Sequence, residues 1–179
     1  MSKIVFLDLD GVVVPFGNFA DLDIAILRKQ PDVEQMVRAT VKTPAIWLSS
    51  LAIKADAKFV LISSWRGVLS PATIQSYLEG LELFEHFHPD WCAEMRGIPP
   101  LPVKGRDIGM WLGDHRDVRQ SDCLVLDDED HGLKESWGFH ALAHIRPDPK
   151  VGFDMGNLAK ALTHFMPDKA GSSDFCAAP

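Results

Sequence analysis

The sequence predicts an α/β fold, a three-layer doubly wound parallel sheet, and three apolar runs support that prediction. The runs cover residues 4–7, 59–62 and 123–126. None of them alternates with polar residues, which favours strands that are buried on both faces of a parallel sheet. Residues with helical spacing lie between the runs, as crossover connections require. A chain of 179 residues that is 46% hydrophobic is large enough for one such domain.

We expect a single domain over residues 1–166, with two less regular segments. A turn-forming group at 15–18 and a weak pattern up to residue 42 predict a small flap or insertion around 15–42. Residues 167–179 are rich in small side chains and predict a disordered tail.

Helix boundaries follow from capping residues and from proline. Asp32 is the expected N-cap of a short helix that ends near Ala39. A firmer helix is predicted toward Lys54, with Thr43 as N-cap and Pro44 at the first helical position. The remaining predicted elements are a helix over 71–80 capped by Ser70, a mostly irregular stretch over 83–102, a helix after 103–105, a strand around 139–145 and a helix over 154–165.

Charge and cysteine content argue against several classes of protein. The formal charge of −7 disfavours a general attraction to nucleic acid or to anionic membranes, although it leaves room for a local basic patch. No apolar run approaches the roughly 20 residues of a membrane span. Because no signal-peptide pattern precedes the first strand, we expect a cytoplasmic protein. The spacing of the cysteines indicates neither a disulfide framework nor a zinc site, and we expect Cys123 to fill the core.

Two aspartates and a glycine follow the first apolar run. Asp8 and Asp10 fall at the carboxyl end of a predicted parallel strand, where ligands of open parallel sheets bind. A spacing of two puts both side chains on one face of an extended segment, while Gly11 lets the backbone turn away. Taken alone, the pattern is equally that of a polar strand end before a turn.

The second run ends in hydroxyl groups and an arginine, at Ser63, Ser64 and Arg66. Hydroxyl donors and a guanidinium are suited to binding phosphate oxygens. Either serine fits that role, depending on where the strand ends. The alternative for the neighbouring residues is structural, with Trp65 packed under the site and Arg66 paired with the acidic cluster downstream.

A lysine and that acidic cluster complete the pattern. Lys104 lies near the start of a predicted helix, where a cation gains nothing from the helix dipole, so an anionic site nearby would explain it. Residues 127–130, which begin with Asp127 and Asp128, are four consecutive acids that directly follow the third run. A charge run alone favours a solvated turn. Carboxylates at two strand ends can instead hold Mg²⁺, and an aspartate can act as a nucleophile toward phosphorus.

The order and content of these segments resemble the haloacid dehalogenase-like (HAD) superfamily of phosphohydrolases. Its four motifs are similar, in order, to Asp8-Leu9-Asp10-Gly11, Ser63, Lys104 and Asp127-Asp128. The segment Ser63-Ser64-Trp65-Arg66, together with Lys104-Gly105, resembles a small bacterial and phage branch related to HAD domains of nucleic-acid repair proteins. The resemblance covers about residues 3–165 and implies a HAD-like Rossmannoid fold with a small or absent cap.

The resemblance also implies a phosphatase activity and a role for each motif residue. Asp8 would be the nucleophile, and Asp10 would be the general acid and base whose backbone carbonyl also reaches the metal. Ser63 would hold the transferring phosphoryl group, and Lys104 would neutralise developing charge. The implied cofactor is Mg²⁺, with Asp8, Asp10, Asp127 and Asp128 as its ligands and Asp130 as a residue that could share the role of Asp128.

Two functions of other classes compete with a hydrolase. A receiver-type signalling domain also gathers aspartates, a hydroxyl and a lysine at strand ends, but its acidic pair comes first and its lysine last. Here Lys104 precedes the acidic cluster. A binding module that has kept the fold without turnover is the second alternative.

The expected substrate is a nucleotide or a polynucleotide-end phosphate, with a small metabolite as the alternative. The spacings between the motifs leave room for only a small flap, and an open site admits the end of a large molecule. Substrate contacts are expected from Gly11, Ser64 and Arg66, with Arg66 on a second phosphate. We expect no membrane association and no obligate protein partner.

Overall fold

A computed structural model describes residues 3–16, 32–93, 104–130 and 142–167. Its strands are β1 (Lys3–Leu7), β2 (Ala57–Leu61), β3 (Phe87–Cys92), β4 (Cys123–Leu126) and β5 (Ala143–Ile145). Its helices are α1 (Val33–Ala39), α2 (Thr43–Ala55), α3 (Pro71–Gly80), α4 (Lys104–Asp114) and α5 (Met155–Phe165). Short 3₁₀ turns cover Ser64–Gly67, Phe84–His86 and Gln120–Asp122.

The strands form one parallel five-stranded sheet in the order β3-β2-β1-β4-β5. The order changes direction at β1, so β2 lies on one side of it and β4 on the other. Leu7, the last residue of β1, is in register with Leu61 of β2 and Leu126 of β4. The residues that follow these three strands therefore leave the sheet at the same level, which is the crevice where open α/β sheets bind ligands.

Alternate residues of β1 bury opposite faces of the sheet. Val5 and Leu7 pack in one core with α1, α2, α3 and α5, whereas Ile4 and Phe6 pack in a second core against α4. All four side chains have no solvent exposure. The predicted α/β fold with a doubly wound parallel sheet is confirmed, because helices cover both faces of the strands.

Several predicted helix boundaries are confirmed by their capping contacts. The Asp32 side chain accepts a hydrogen bond from the Gln35 amide at 3.2 Å, at the start of α1. Ser70 caps α3 through the Thr73 amide at 3.1 Å. Each bond satisfies an amide that has no partner within its own helix. Cys123 is fully buried, as expected of a core residue.

Two predictions of local structure are wrong. Thr43 lies inside α2 and is not its cap, because Lys42 already has helical dihedral angles and stands at the N-cap position. The stretch predicted to be irregular contains β3, an edge strand that lacks a continuous apolar run. Its pairing with β2 shifts register between Phe59 and Leu61, and only one of its residues is buried, so the sequence carries no clear strand pattern.

Some predictions concern residues that lie outside the described part of the chain. These are most of the flap (17–31), the end of the irregular stretch (94–102), the start of the last predicted strand (139–141) and most of the tail (168–179). Within the described ranges, no helix has both the length and the apolar character needed to cross a membrane.

Candidate active site

Asp8 leaves the sheet directly after the central strand. Its amide donates to the Leu126 carbonyl at 3.0 Å, which continues the pairing of β1 with β4 by one residue. The residue is 3% exposed, and its Oδ1 accepts a hydrogen bond from the Leu9 amide at 2.8 Å. The pairing with β4 therefore fixes the backbone of this residue, and the next amide along the chain fixes one carboxylate oxygen.

Lys104, the first residue of α4, lies between the carboxylates of Asp8 and Asp127. Its Nζ donates to Asp8 Oδ2 at 2.6 Å and to Asp127 Oδ2 at 2.8 Å. Burial alone lowers the pKa of Lys104, but the two carboxylates outweigh burial and leave that pKa raised. The lysine is therefore held protonated although its side chain is only 4% exposed.

Three carboxylates, two of which bind this lysine, lie close to one another. Oxygen atoms of Asp8, Asp127 and Asp128 all lie within 4.8 Å of one another. Burial, and then the Asp8 charge, raises the pKa of Asp127 and raises the pKa of Asp128 to about 6. One lysine does not balance three carboxylates, and oxygen ligands suit hard divalent cations, so the cluster can bind a metal ion. Among the described residues Asp130 is not part of this group.

Asp10 lies beside the cluster, and its side chain is not one of the grouped ligands. Its Oδ1 accepts a hydrogen bond from the indole Nε1 of Trp65 at 2.9 Å. Burial, followed by the charge of Asp8, raises the pKa of Asp10 to about 7. A carboxyl group with such a pKa can hold a proton at neutral pH, as a general acid must.

Gly11 allows Asp128 to approach the backbone of the first motif. Its φ of +68° lies in the left-handed region, which glycine adopts without strain. A Cβ atom built on Gly11 would lie 2.4 Å from Asp128 Cγ. The glycine therefore serves two purposes, the sharp turn after Asp10 and the space for the Asp128 carboxylate.

Ser63 and Ser64 follow β2 but differ in exposure. Ser63 is completely buried, and its Oγ accepts from the Trp65 amide at 3.4 Å. Ser64 is exposed at the start of the 3₁₀ turn. Both lie at the sheet edge that carries Asp8, because Ile62, just before them, donates its amide to the Leu7 carbonyl. Which hydroxyl meets a phosphate stays a prediction.

Arg66 is not placed to bind a substrate phosphate. Its side chain is 3% exposed, and Nη2 lies 2.9 Å from Asp107 Oδ2. The remaining guanidinium contacts are the backbone carbonyls of Ile62, Ser63 and Ala93. The expected contact with a second phosphate is not supported, and the partner is Asp107 of α4 in place of the acidic cluster.

Two residues near the cluster are not among the site residues that the sequence predicts. Arg146 is exposed and donates through Nε and Nη2 to the Asp128 carbonyl at 3.1 and 3.0 Å. The Nε2 atom of His144 lies 2.9 Å from the Asp127 carbonyl oxygen. A signal was present, because both residues fall at the end of the last predicted strand and so at the same edge of the sheet.

An all-parallel sheet whose central strands end in aspartates, with a lysine between those aspartates, is the arrangement of a HAD-type hydrolase domain. Residues 4–158 match the family described as "HAD domain in Swiss Army Knife RNA repair proteins", and this match covers most of the chain, so the chain belongs to that family. No curated protein matches the sequence significantly. Family membership supports a hydrolase of the HAD type.

Proposed function

We propose that the protein is a Mg²⁺-dependent phosphohydrolase that works through an aspartyl-phosphate on Asp8. The observation that carries this proposal is the bridge formed by Lys104 between Asp8 and Asp127. It holds the buried Asp8 carboxylate against a cation, next to two further aspartates that can share a metal ion with it. That combination suits attack on phosphorus, where catalysis depends on positioning and on neutralising charge.

The residues present fit a Mg²⁺ ion. The carboxylates of Asp8, Asp127 and Asp128 are close enough to share one cation, and their crowding is relieved by added positive charge. The carbonyl of Asp10 is the fourth ligand that the family resemblance implies. When bound, Mg²⁺ would neutralise charge on the transferring phosphoryl group.

Lys104, Asp8 and Asp10 then have separate tasks. Asp8 attacks phosphorus while Lys104 holds the carboxylate, and the bond between phosphorus and the ester oxygen breaks. The departing oxygen takes its proton from Asp10. In the second half, water attacks the aspartyl-phosphate and gives a proton to Asp10, which releases inorganic phosphate and regenerates the Asp8 carboxylate.

Replacing Gly11 by alanine tests the metal site without removing a ligand. The new Cβ would push the Asp128 carboxylate out of position, and a left-handed φ costs a non-glycine residue about 1–2 kcal/mol. We expect Gly11→Ala to unfold at a lower temperature and to gain much less thermal stability from added Mg²⁺ than the wild type gains. Differential scanning fluorimetry across a Mg²⁺ titration measures both effects.

Gly113→Ala is the matched control for that experiment. A Cβ atom at Gly113 meets no heavy atom within 4 Å, and the residue lies near the end of α4. We expect this variant to keep the full Mg²⁺-dependent shift. An equal response to Mg²⁺ in Gly11→Ala and in the wild type would contradict the assignment of Asp128 as a ligand.

The proposed substrate is a phosphate at a nucleotide or polynucleotide end. This part of the proposal is supported by the family description, which refers to RNA repair proteins. Two exposed groups could contact a large substrate: the Ser64 hydroxyl, at the same edge of the sheet, and the Arg146 guanidinium, which binds the Asp128 carbonyl. Arg146 replaces Arg66 as the candidate for a second phosphate.

A substrate panel tests the function. The rate of phosphate release is measured with a 3′- and a 5′-phosphorylated oligonucleotide, a mononucleotide and a hexose phosphate, each with Mg²⁺ and with a chelator. We expect turnover only with Mg²⁺ and the highest kcat/KM for an oligonucleotide. A preference for the hexose phosphate would indicate a small-metabolite phosphatase, and a single phosphorylation without turnover would indicate a receiver-like domain.

A further inference from the structure

Trp65 connects Asp10 to the helical layer that contains α1 and α3. It lies on the 3₁₀ turn after β2, is 4% exposed, and donates its indole N–H to Asp10 Oδ1 at 2.9 Å. Its ring packs against the ring of Tyr77, with 5.3 Å between the centroids. Trp65 thus packs under the site, which is one of the placements expected from the sequence. It also makes a polar contact with Asp10, a candidate catalytic residue.

Tyr77 is held in turn by a chain of hydroxyl groups. Its OH lies 2.8 Å from Thr40 Oγ1, and Thr40 Oγ1 donates to the Met36 carbonyl at 2.9 Å. A threonine hydroxyl has one proton to donate, so the Tyr77 hydroxyl must be the donor to Thr40. Because Tyr77 is fully buried and held by these hydrogen bonds, its ring contact fixes the position of the Trp65 ring.

The indole N–H distinguishes the two oxygens of Asp10. An indole nitrogen donates and never accepts, so Asp10 Oδ1 must be the acceptor in this contact. The carbonyl-type oxygen of a protonated carboxyl group is the better acceptor, so this contact leaves Oδ2 as the oxygen better placed to exchange a proton. The contact also restricts rotation of the carboxyl group, and general acid catalysis depends on such orientation.

We propose that Trp65 is a positioning residue that fixes Asp10 with Oδ2 as the oxygen that gives and takes the proton. The proposal rests on the proposed function, in which Asp10 protonates the leaving group. As the bond from phosphorus to the ester oxygen breaks, the proton on Oδ2 passes to that oxygen. When water attacks the aspartyl-phosphate, Oδ2 accepts a proton from the water.

The chain offers a matched control in Trp111. It is also 4% exposed, and its indole N–H donates at 3.0 Å to a backbone carbonyl, that of Asp90, on the other face of the sheet. Trp65→Phe and Trp111→Phe therefore each remove one indole hydrogen bond of similar length from a buried ring. Only the first change touches Asp10.

The experiment compares kcat for an aryl phosphate, whose leaving group needs little protonation, with kcat for an alkyl phosphate, whose leaving group needs a proton. General acid catalysis contributes about 10²–10⁴-fold to rates. Since Trp65→Phe keeps the carboxyl group and loses only its orientation, we expect a loss of about 10-fold or more for the alkyl phosphate and a small loss for the aryl phosphate. Trp111→Phe should change both rates by the same factor.

The outcomes separate this proposal from the proposed function. Equal losses for the two substrates in Trp65→Phe, with an active wild type, would overturn the positioning role and leave the phosphatase intact. A wild type without phosphatase activity would overturn both. If Trp65→Phe does not fold, Tyr77→Phe keeps both rings and removes only the bond to Thr40. The same selective loss is then expected, and its absence overturns the proposal.

Discussion

Asp8→Asn is expected to lower kcat by at least about 10⁴-fold, because an amide cannot act as the nucleophile that forms the aspartyl-phosphate. The fold should survive the change. Asparagine has nearly the same shape as aspartate, its side-chain oxygen can still accept from Lys104 or from the Leu9 amide, and Lys104 keeps Asp127 as a charged partner. Loss of activity together with a normal unfolding transition would therefore identify a chemical role.

Trapping the covalent intermediate makes this test specific. An acyl phosphate survives acid and is cleaved by hydroxylamine, so acid-quenched wild-type protein should carry labelled phosphate that hydroxylamine releases. Asp8→Asn should carry none. Asp32→Asn is a suitable control, since asparagine caps a helix as well as aspartate does and α1 should keep its N-cap. An Asp8→Asn protein with wild-type turnover would contradict the mechanism.

The sequence is informative about the site wherever parallel strands end. Asp8 and Asp127 meet because β1 and β4 are neighbours in register, and any parallel pairing of these two apolar runs brings their carboxyl ends to one edge. The position of Lys104 at the start of α4 follows from the same topology, because crossover helices begin or end at the sheet edges. These placements depend on backbone geometry, which hydrophobic patterns predict well.

Contacts made by long side chains are harder to predict. Nothing in the local sequence states whether Arg66 extends toward solvent or turns back to the carbonyls of its own strand end and to Asp107, 41 residues further along the chain. Trp65 has the same ambiguity, since packing and hydrogen bonding to Asp10 both suit an indole. The sequence pattern does not predict the strand β3 for a related reason, because an edge strand needs no continuous apolar run.

Arg66→Met is expected to give the largest loss of stability among the changes considered. Arg66 and Asp107 have side chains that are 3% and 1% exposed, so the substitution leaves a carboxylate buried without its counter-charge. Breaking a buried ion pair by removing one partner costs about 3–5 kcal/mol. Asp107 is poorly placed to compensate, because within the described part of the chain its Oδ1 already has no hydrogen-bond partner.

Urea unfolding of three variants separates the ion pair from other effects of losing an arginine. Arg119→Met removes a guanidinium that pairs with Asp122 through two bonds at the surface, and exposed pairs contribute little, so its unfolding midpoint should stay close to that of the wild type. The double change Arg66→Met/Asp107→Leu removes the stranded charge and should regain part of the loss. Recovery should be incomplete, because the carbonyls of Ile62, Ser63 and Ala93 still lose their donor. An Arg66→Met protein as stable as Arg119→Met would show that the buried pair does not hold α4 to the ends of β2 and β3.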